Sequence, residues 1–446
     1  MYPDQNSKSA ALYRRALEVL PGGNSRTAAF KDPYPIYAAR GDGAYYWDAD
    51  GNRLFDMINN QSSLVHGHSH PRIVEAVKSQ VEKLTSVCAP TELEIDLAEE
   101  LCRRVRSIER VSFCNSGSEA VLFAIRAARA FTGRDGIAKV EGCYHGNLDS
   151  VEISVFPKPA VWGPDDAPAS VGEGLGIPAK ALEDTLVLPF NRVDAARALI
   201  EENASRLACI LVDPAPPRMG FMEATDDFLH MLRETATRHG ILLIFDEVFA
   251  FRQSYHGAQG RRGVDADLTA MGKLIGGGLP IGATAGRADV LACFDPRGGA
   301  KAGHAGTFNA HPLSMAAGSA ALSMLTPQSF AHLDALGERT RNGLRAALSD
   351  AGLPGVVNGV GSLFSMIIGS ETKVSNIRDI AFALSTPRAD GRTPLALAQD
   401  FGRRMINMGV IFAAPSLYIL STAMTDAHID EFLAKARQAL RDLAAA

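Results

Sequence analysis

Residues 241–245 (ILLIF) are apolar without interruption and run directly into Asp246 and Glu247. A run that lacks polar alternation predicts a strand buried on both faces of a parallel sheet. Similar short runs predict strands at Arg110–Cys114, Gly136–Val140, 209–212 and 268–271. Helical spacing fills the intervals. Thr225 caps a helix that turns Phe228, Met231 and Leu232 inward and returns the chain to Ile241, which closes a βαβ crossover. A nearly all-apolar helix follows residues 115–119, and another after Pro71 directs Val74, Val77, Val81 and Leu84 inward. Thr91 and Glu94 form a T-x-x-E capping box ahead of Leu93, Leu97, Leu101 and Val105. Toward the N-terminus, residues 8–19 predict an amphipathic helix with Leu12, Ala16 and Leu20 on one side. Aromatic segments at 45–47 and 54–57 flank an Asp-Gly turn and predict a hairpin. In the C-terminal portion, helices at 328–353 and 394–408 and a Thr425-capped helix bracket strands near 362–368, 410–412 and 418–420. The last of these helices turns Ile429, Phe432, Leu433, Ala436 and Leu440 inward, and its Ala-rich end is expected to fray.

Composition narrows the class. With 446 residues, 46% hydrophobic and 21% charged, the chain reads as a two-domain globular protein with a large core. A net charge of −5 supplies no electrostatic footprint for nucleic acid or an anionic membrane. The six cysteines stand singly, without a CxxC pair, as reduced thiols in a cytoplasmic protein do. No apolar run approaches the ~20 residues that span a bilayer.

Four features carry chemistry. Asp246 ends a buried strand at the edge where open α/β sheets bind ligands, and it needs a cationic partner there. Lys273 follows the 268–271 strand and precedes Gly276, Gly277 and Gly278. A desolvated lysine has a lowered pKa and is a Schiff-base nucleophile. A strand-end Asp for a pyridinium nitrogen and a Lys for the aldehyde are what pyridoxal phosphate requires of a protein. Ser116, Gly117 and Ser118 open a helix whose N-terminus suits a phosphate. Tyr144 leaves a strand as a candidate stacking ring. His66, His68 and His70 lack the carboxylate or cysteine company of a zinc site, so no metal is expected. GEGLG (172–176) lacks the preceding strand and the spacing of a nucleotide fingerprint.

The motifs PGGNSR (21–26), GHSHP (67–71), NSGSEA (115–120), YHG (144–146), DEV (246–248), GKLIGGGLPIGA (272–283) and GTFNAHP (306–312) occur in order along nearly the whole chain. In them the chain resembles the class III, fold-type I pyridoxal-phosphate aminotransferases, the group that includes β-phenylalanine aminotransferases and glutamate-1-semialdehyde 2,1-aminomutase. The resemblance implies an α/β fold with a mostly parallel seven-stranded sheet in a large domain (61–310). A small α+β domain (311–446) would pack with the N-terminal segment (1–60). It implies catalytic roles for Lys273 and Asp246, and cofactor contacts from Ser116, Gly117, Ser118, Tyr144, Asp246, Val248 and Lys273. It also implies a homodimer in which Thr307 reaches the neighbouring site. Arg26, in NSR, matches the arginine that grips the substrate carboxylate in the β-amino-acid enzymes. Those enzymes carry a second arginine where this chain has Ser416, so a monocarboxylate amine is expected unless Arg252 or another residue substitutes. Asp213-Pro214 stands where the family usually has Glu-Pro. The expected activity is amino transfer from a carboxylate-bearing amine to a keto acid. The alternatives are a 2,1-aminomutase, to which Ala413-Ala414-Pro415-Ser416 is similar, and a non-catalytic binding protein of the same fold.

Overall fold

The computed structural model describes residues 2–413 and 417–446, so Ala414, Pro415 and Ser416, with the readings placed on them, lie outside the described residues. The chain divides into two units: residues 72–331 with 374–381, and residues 1–71 with 332–373 and 382–446.

The smaller unit opens with the helix Lys8–Leu17, capped by the Ser7 side chain. It buries Ser9 and Ala10 and leaves Leu20 exposed, so the expected Leu12–Ala16–Leu20 face is not the packed one. Strands β1 (Ala38–Asp42), β2 (Tyr45–Asp48) and β3 (Arg53–Asp56) form an antiparallel meander, with the expected hairpin as its second half.

The larger unit holds β4 (Arg110–Cys114), β5 (Gly136–Val140), β6 (Thr185–Leu188), β7 (Leu207–Val212), β8 (Leu242–Asp246), β9 (Leu268–Gly272) and β10 (Gly282–Gly286). Their order in the sheet is β4-β10-β9-β8-β7-β5-β6, and β10 alone runs against the rest. Every residue of β5, β7, β8, β9 and β10 is buried, so β7 and the apolar part of β8 read as continuous apolar runs, while β5, β9 and β10 each bury one polar side chain, Lys139, Thr269 and Thr284. The helix Gly117–Thr132 lies on one face, with Val121, Ala124 and Ala128 in a core shared with Cys209, Leu211, Ile244 and Leu268. The helix Asp226–His239 buries Phe228, Met231 and Leu232 and is capped by Thr225, as its spacing predicts.

Two helices depart from expectation. Pro71–Lys83 is amphipathic but buries nothing in the single chain; Val74, Val77 and Leu84 are half-buried, and Val81 is exposed. At Glu92–Arg104 the capping box does not form: Thr91 occupies the cap position without a side-chain bond to the helix, and its hydroxyl is buried and unpartnered. Burial of Leu97, Leu101 and Val105 holds that helix instead.

The expected boundaries after residues 60 and 310 shift to 71 and 331. The helix Pro312–Met324 packs on Glu92–Arg104 and on the turn Lys273–Gly276. There a side chain at Gly318 would meet Leu97 at 3.2 Å, and this close approach ties the helix to the larger unit.

The remaining strands belong to the smaller unit. β11 (Gly355–Val360), β12 (Leu363–Ile368) and β14 (Leu417–Ile419) form one antiparallel sheet, and β13 (Val410–Ile411) joins β3 in parallel. The final helix, Asp426–Ala444, buries Leu443 in its last turn and ends one residue later, leaving Ala445 and Ala446 exposed beyond it. Among the described residues, no helix is long and apolar enough to cross a membrane.

Candidate active site

β4, β5, β7, β8 and β9 all point the same way, so their carboxyl ends share one edge of the sheet. Ser116, Tyr144, Asp213, Asp246 and Lys273 each lie just beyond or at one of those ends. Residues as far apart in sequence as 116 and 273 are thereby brought to one rim, which is where open α/β sheets bind ligands.

Asp246 is 3% exposed, and its Oδ2 lies 2.8 Å from Nδ1 of His145, itself 2% exposed. Since a carboxylate only accepts, the imidazole carries its proton on Nδ1. The other ring nitrogen, Nε2, is buried and has no protein partner. Desolvation pushes the imidazole below its ordinary value against the pull of Asp246, which keeps it neutral. The second Asp246 oxygen accepts the Val248 N–H at 3.0 Å. His145 is the site residue that sequence reasoning missed, although it stands next to Tyr144 in the YHG motif.

Lys273 sits at φ +52°, a left-handed conformation costly for a lysine, and its Nζ packs 3.8 Å from the centre of the Phe249 ring. Desolvation pushes its amine down to about 8, with Asp246 and Asp213 pulling the other way. Because the folded value lies below the unfolded 10.5, burial of Lys273 costs stability in full below about pH 8. That cost is relieved as pH rises through 10.5. In the apoenzyme, competitive acetylation followed by mass spectrometry is expected to show Lys273 reactivity rising with a midpoint near pH 8. A midpoint near that of an ordinary lysine, about 10.4, would contradict a desolvated amine.

Asp213 is buried, accepts the Ala215 N–H at 2.9 Å, and is pushed well above the carboxylate range by burial and then by the charge of Asp246. Glu247 is held by Ala258 N (2.8 Å), Gln259 N (3.2 Å) and Gln259 Nε2 (3.0 Å), and burial raises it to about 7. It ties the end of β8 to the helix Gly257–Arg262.

At the end of β4, Ser116 is the N-cap of the Gly117–Thr132 helix, its hydroxyl accepting Glu119 N–H at 3.2 Å. The Ser118 hydroxyl accepts Asn147 N–H at 3.3 Å. A side chain on Gly117 would lie 2.8 Å from Val248 Cγ2, so only glycine lets this helix start come so close to the segment beyond Asp246. Tyr144 is half-buried, and its hydroxyl donates to Asn147 Oδ1 at 2.9 Å. Thr307 is exposed in the single chain, in a turn whose Asn309 accepts from Asn115 Nδ2 at 3.0 Å. Arg252 is buried on the turn Ala250–Gln253, where burial pushes its guanidinium down to about 9.

In the smaller unit, Arg26 is exposed, with Nη1 bonded to Asn60 Oδ1 at 2.9 Å. Two histidines of the 59–70 loop have ordinary partners: His68 Nε2 meets Asp56 Oδ2 at 2.7 Å and His66 Nδ1 meets Thr422 Oγ1 at 2.8 Å.

A desolvated amine, a buried carboxylate held by histidine, and a glycine-bared helix start on one rim define a site of the pyridoxal-phosphate kind. Residues 27–440 match the family model for class III aminotransferases. The chain is 38% identical over 443 residues to glutamate-1-semialdehyde 2,1-aminomutase 1 of Bacillus cereus (strain G9842), covering 98% of this chain and 99% of that protein. An omega-transaminase from Sphaerobacter thermophilus superposes with a TM-score of 0.94 at 43% identity, over 99% of both chains. A beta-phenylalanine aminotransferase from Variovorax paradoxus superposes with a TM-score of 0.85 at 36% identity, over 97% of this chain and 93% of that one. The chain belongs to the class III aminotransferases, and its cofactor is pyridoxal 5′-phosphate.

Proposed function

We propose that the chain moves an amino group from a carboxylate-bearing amine, a β-amino acid or an aromatic amino acid, to a keto acid in two half-reactions. The observation that carries amino transfer is the Lys273 amine, packed on Phe249 and lowered to about 8 beside the Asp246–His145 pair. When bound, pyridoxal phosphate supplies an electron sink for the bonds at the amine-bearing carbon. Asp246 would hold its ring nitrogen protonated, with His145 fixing the carboxylate. Ser116, Gly117, Ser118 and Thr307 would hold its phosphate, and Tyr144 and Val248 its ring. Lys273 Nζ would take the proton from the amine-bearing carbon and pass it to the cofactor rather than back to that carbon, a task suited to a base poised near the working pH.

Arg26 supports the carboxylate part of the reading. Its planar guanidinium can grip a carboxylate through two parallel bonds, and Asn60 orients it in its own unit. Likeness to the omega-transaminase and the beta-phenylalanine aminotransferase agrees with that choice. The test is a panel of α-, β- and ω-amines, read as loss of the bound cofactor's aldehyde form. Arg26→Ala is expected to lower kcat/KM for carboxylate-bearing amines by ~2–3 kcal/mol and to spare amines without a carboxylate. Equal effects on both classes, or none on either, would return Arg26 to the solvated surface.

The 38% identity to an aminomutase favours a second reading, in which both half-reactions act on one molecule. Turnover without added keto acid would select it. We also infer a cytoplasmic homodimer. The half-buried stripe of Pro71–Lys83 and the exposed Val87 and Ile95 support an interface on this side of the larger unit.

A further inference from the structure

Arg378 lies in the segment Val374–Ala381, which belongs to the larger unit although the chain on either side of it belongs to the smaller. Amino transfer as described gives this residue no task. Its side chain is 7% exposed, yet every N–H it carries is engaged. Nε and Nη2 fork onto Glu141 Oε2 and Oε1 at 2.9 Å each. Nη1 donates to Gly163 O at 2.9 Å and to Asp165 Oδ1 at 2.8 Å. Nη2 also donates to Trp162 O at 2.8 Å and Pro164 O at 3.2 Å, and the guanidinium lies 4.9 Å from the Trp162 ring centre.

Glu141 is the first residue beyond β5, and the next is Gly142 at φ +82°. A side chain on Gly142 would meet Ile377 Cβ at 2.7 Å and Met219 Cε at 3.2 Å. Ile377 and Arg378 therefore seize the two residues through which the chain leaves the sheet. Cys143, Tyr144 and His145 follow directly, and His145 bonds Asp246. A buried ion pair is a weak source of net stability, because desolvation of both charges offsets their attraction. What a saturated two-pronged pair supplies is fixed geometry.

We propose that Arg378 is a positioning residue for the cofactor site. Through Glu141, with its neighbour Ile377 seated against Gly142, it sets the direction in which Tyr144 and His145 leave β5, and through the 162–165 carbonyls and carboxylate it ties the adjoining loop to the same point. The proposal rests on the reading that Tyr144 faces the cofactor ring.

The experiment compares Arg378→Lys, which keeps the charge but cannot fork, with the double variant Arg378→Met/Glu141→Leu, which strands neither charge. Tyr144→Ala is the control. Each apoenzyme is titrated with pyridoxal phosphate by fluorescence quenching, and the visible band of the bound cofactor is followed against pH. Folded Arg378 variants are expected to bind the cofactor about tenfold more weakly, the scale of losing a supporting shell, and to shift the pH midpoint of that band. Proteolysis within residues 157–170 should also quicken. Unchanged affinity and band in a folded Arg378 variant overturn the proposal. If Tyr144→Ala still perturbs the band, the clamp alone fails; if it does not, the Tyr144 reading fails as well. Should neither Arg378 variant fold, the pair is a folding determinant and the proposal is likewise overturned.

Discussion

Lys273→Ala is expected to reduce turnover by at least about 10⁴-fold, since one residue serves as both nucleophile and proton carrier. The fold should not suffer. Alanine removes an amine whose burial costs stability below about pH 8, so the apoenzyme should melt at the wild-type temperature or slightly above it at pH 7. Cofactor should still bind, without a covalent link, because the helix start at Ser116–Ser118 and Asp246 are untouched. Borohydride should fix cofactor onto wild-type enzyme at Lys273 alone and onto the variant nowhere. A second labelled lysine would sink the assignment. The same variant tests the dimer. If Thr307 serves the neighbouring site, mixing Lys273→Ala subunits with Thr307→Ala subunits should restore activity in heterodimers. No recovery would argue that the turn serves its own chain, where Asn309 already bonds Asn115.

The legible parts of this protein are those buried on both sides. β5 and β8 were readable to within a residue because a strand buried at every position admits few polar residues, Lys139 being the exception in β5, and the charge that ends β8 marks the ligand edge. Asp246 and Lys273 are legible for the same reason: each is an ionisable group where burial leaves no room for one without a partner. His145 was not, because its bond to Asp246 spans 101 positions and nothing in the YHG triplet says which ring is buried. β11 hid behind Gly355 and Gly359, which break alternation; at Gly359, with φ +148°, a side chain would collide with Phe364 on the paired strand. The Ile377–Ser385 helix carries a start signal in Asn376, whose Oδ1 accepts the Asp379 N–H at 3.0 Å, but nothing local says that Arg378 reaches Glu141, 237 positions away, so the clamp was unreadable. The Pro71–Lys83 stripe misled in the opposite direction. Its periodicity is real, but a single chain does not bury it.

Asp246→Asn is expected to lower the amine half-reaction by about 10²–10³-fold, the usual scale for removing one preorganised electrostatic contact. The substitution keeps shape and one acceptor: Asn Oδ1 can still take the Val248 N–H, which Asp246 accepts at 3.0 Å. The face toward His145 then changes from acceptor to donor. The imidazole must give up its Nδ1 proton to accept the amide and carry a proton on Nε2, the atom that now lies buried without a protein partner. That tautomer switch costs the fold little, because Nε2 gains a proton in a position that satisfies it no worse than before. Melting within a few degrees of wild type is therefore expected, with cofactor still bound. What is lost is the negative charge that would keep the ring nitrogen protonated, and with it the electron sink on which Lys273 depends for its proton transfer. Stopped-flow measurement of the half-reaction with a reactive amine decides the point. A rate near wild type in Asp246→Asn would show that the carboxylate is structural and that the pairing with Lys273 across the rim has been misread.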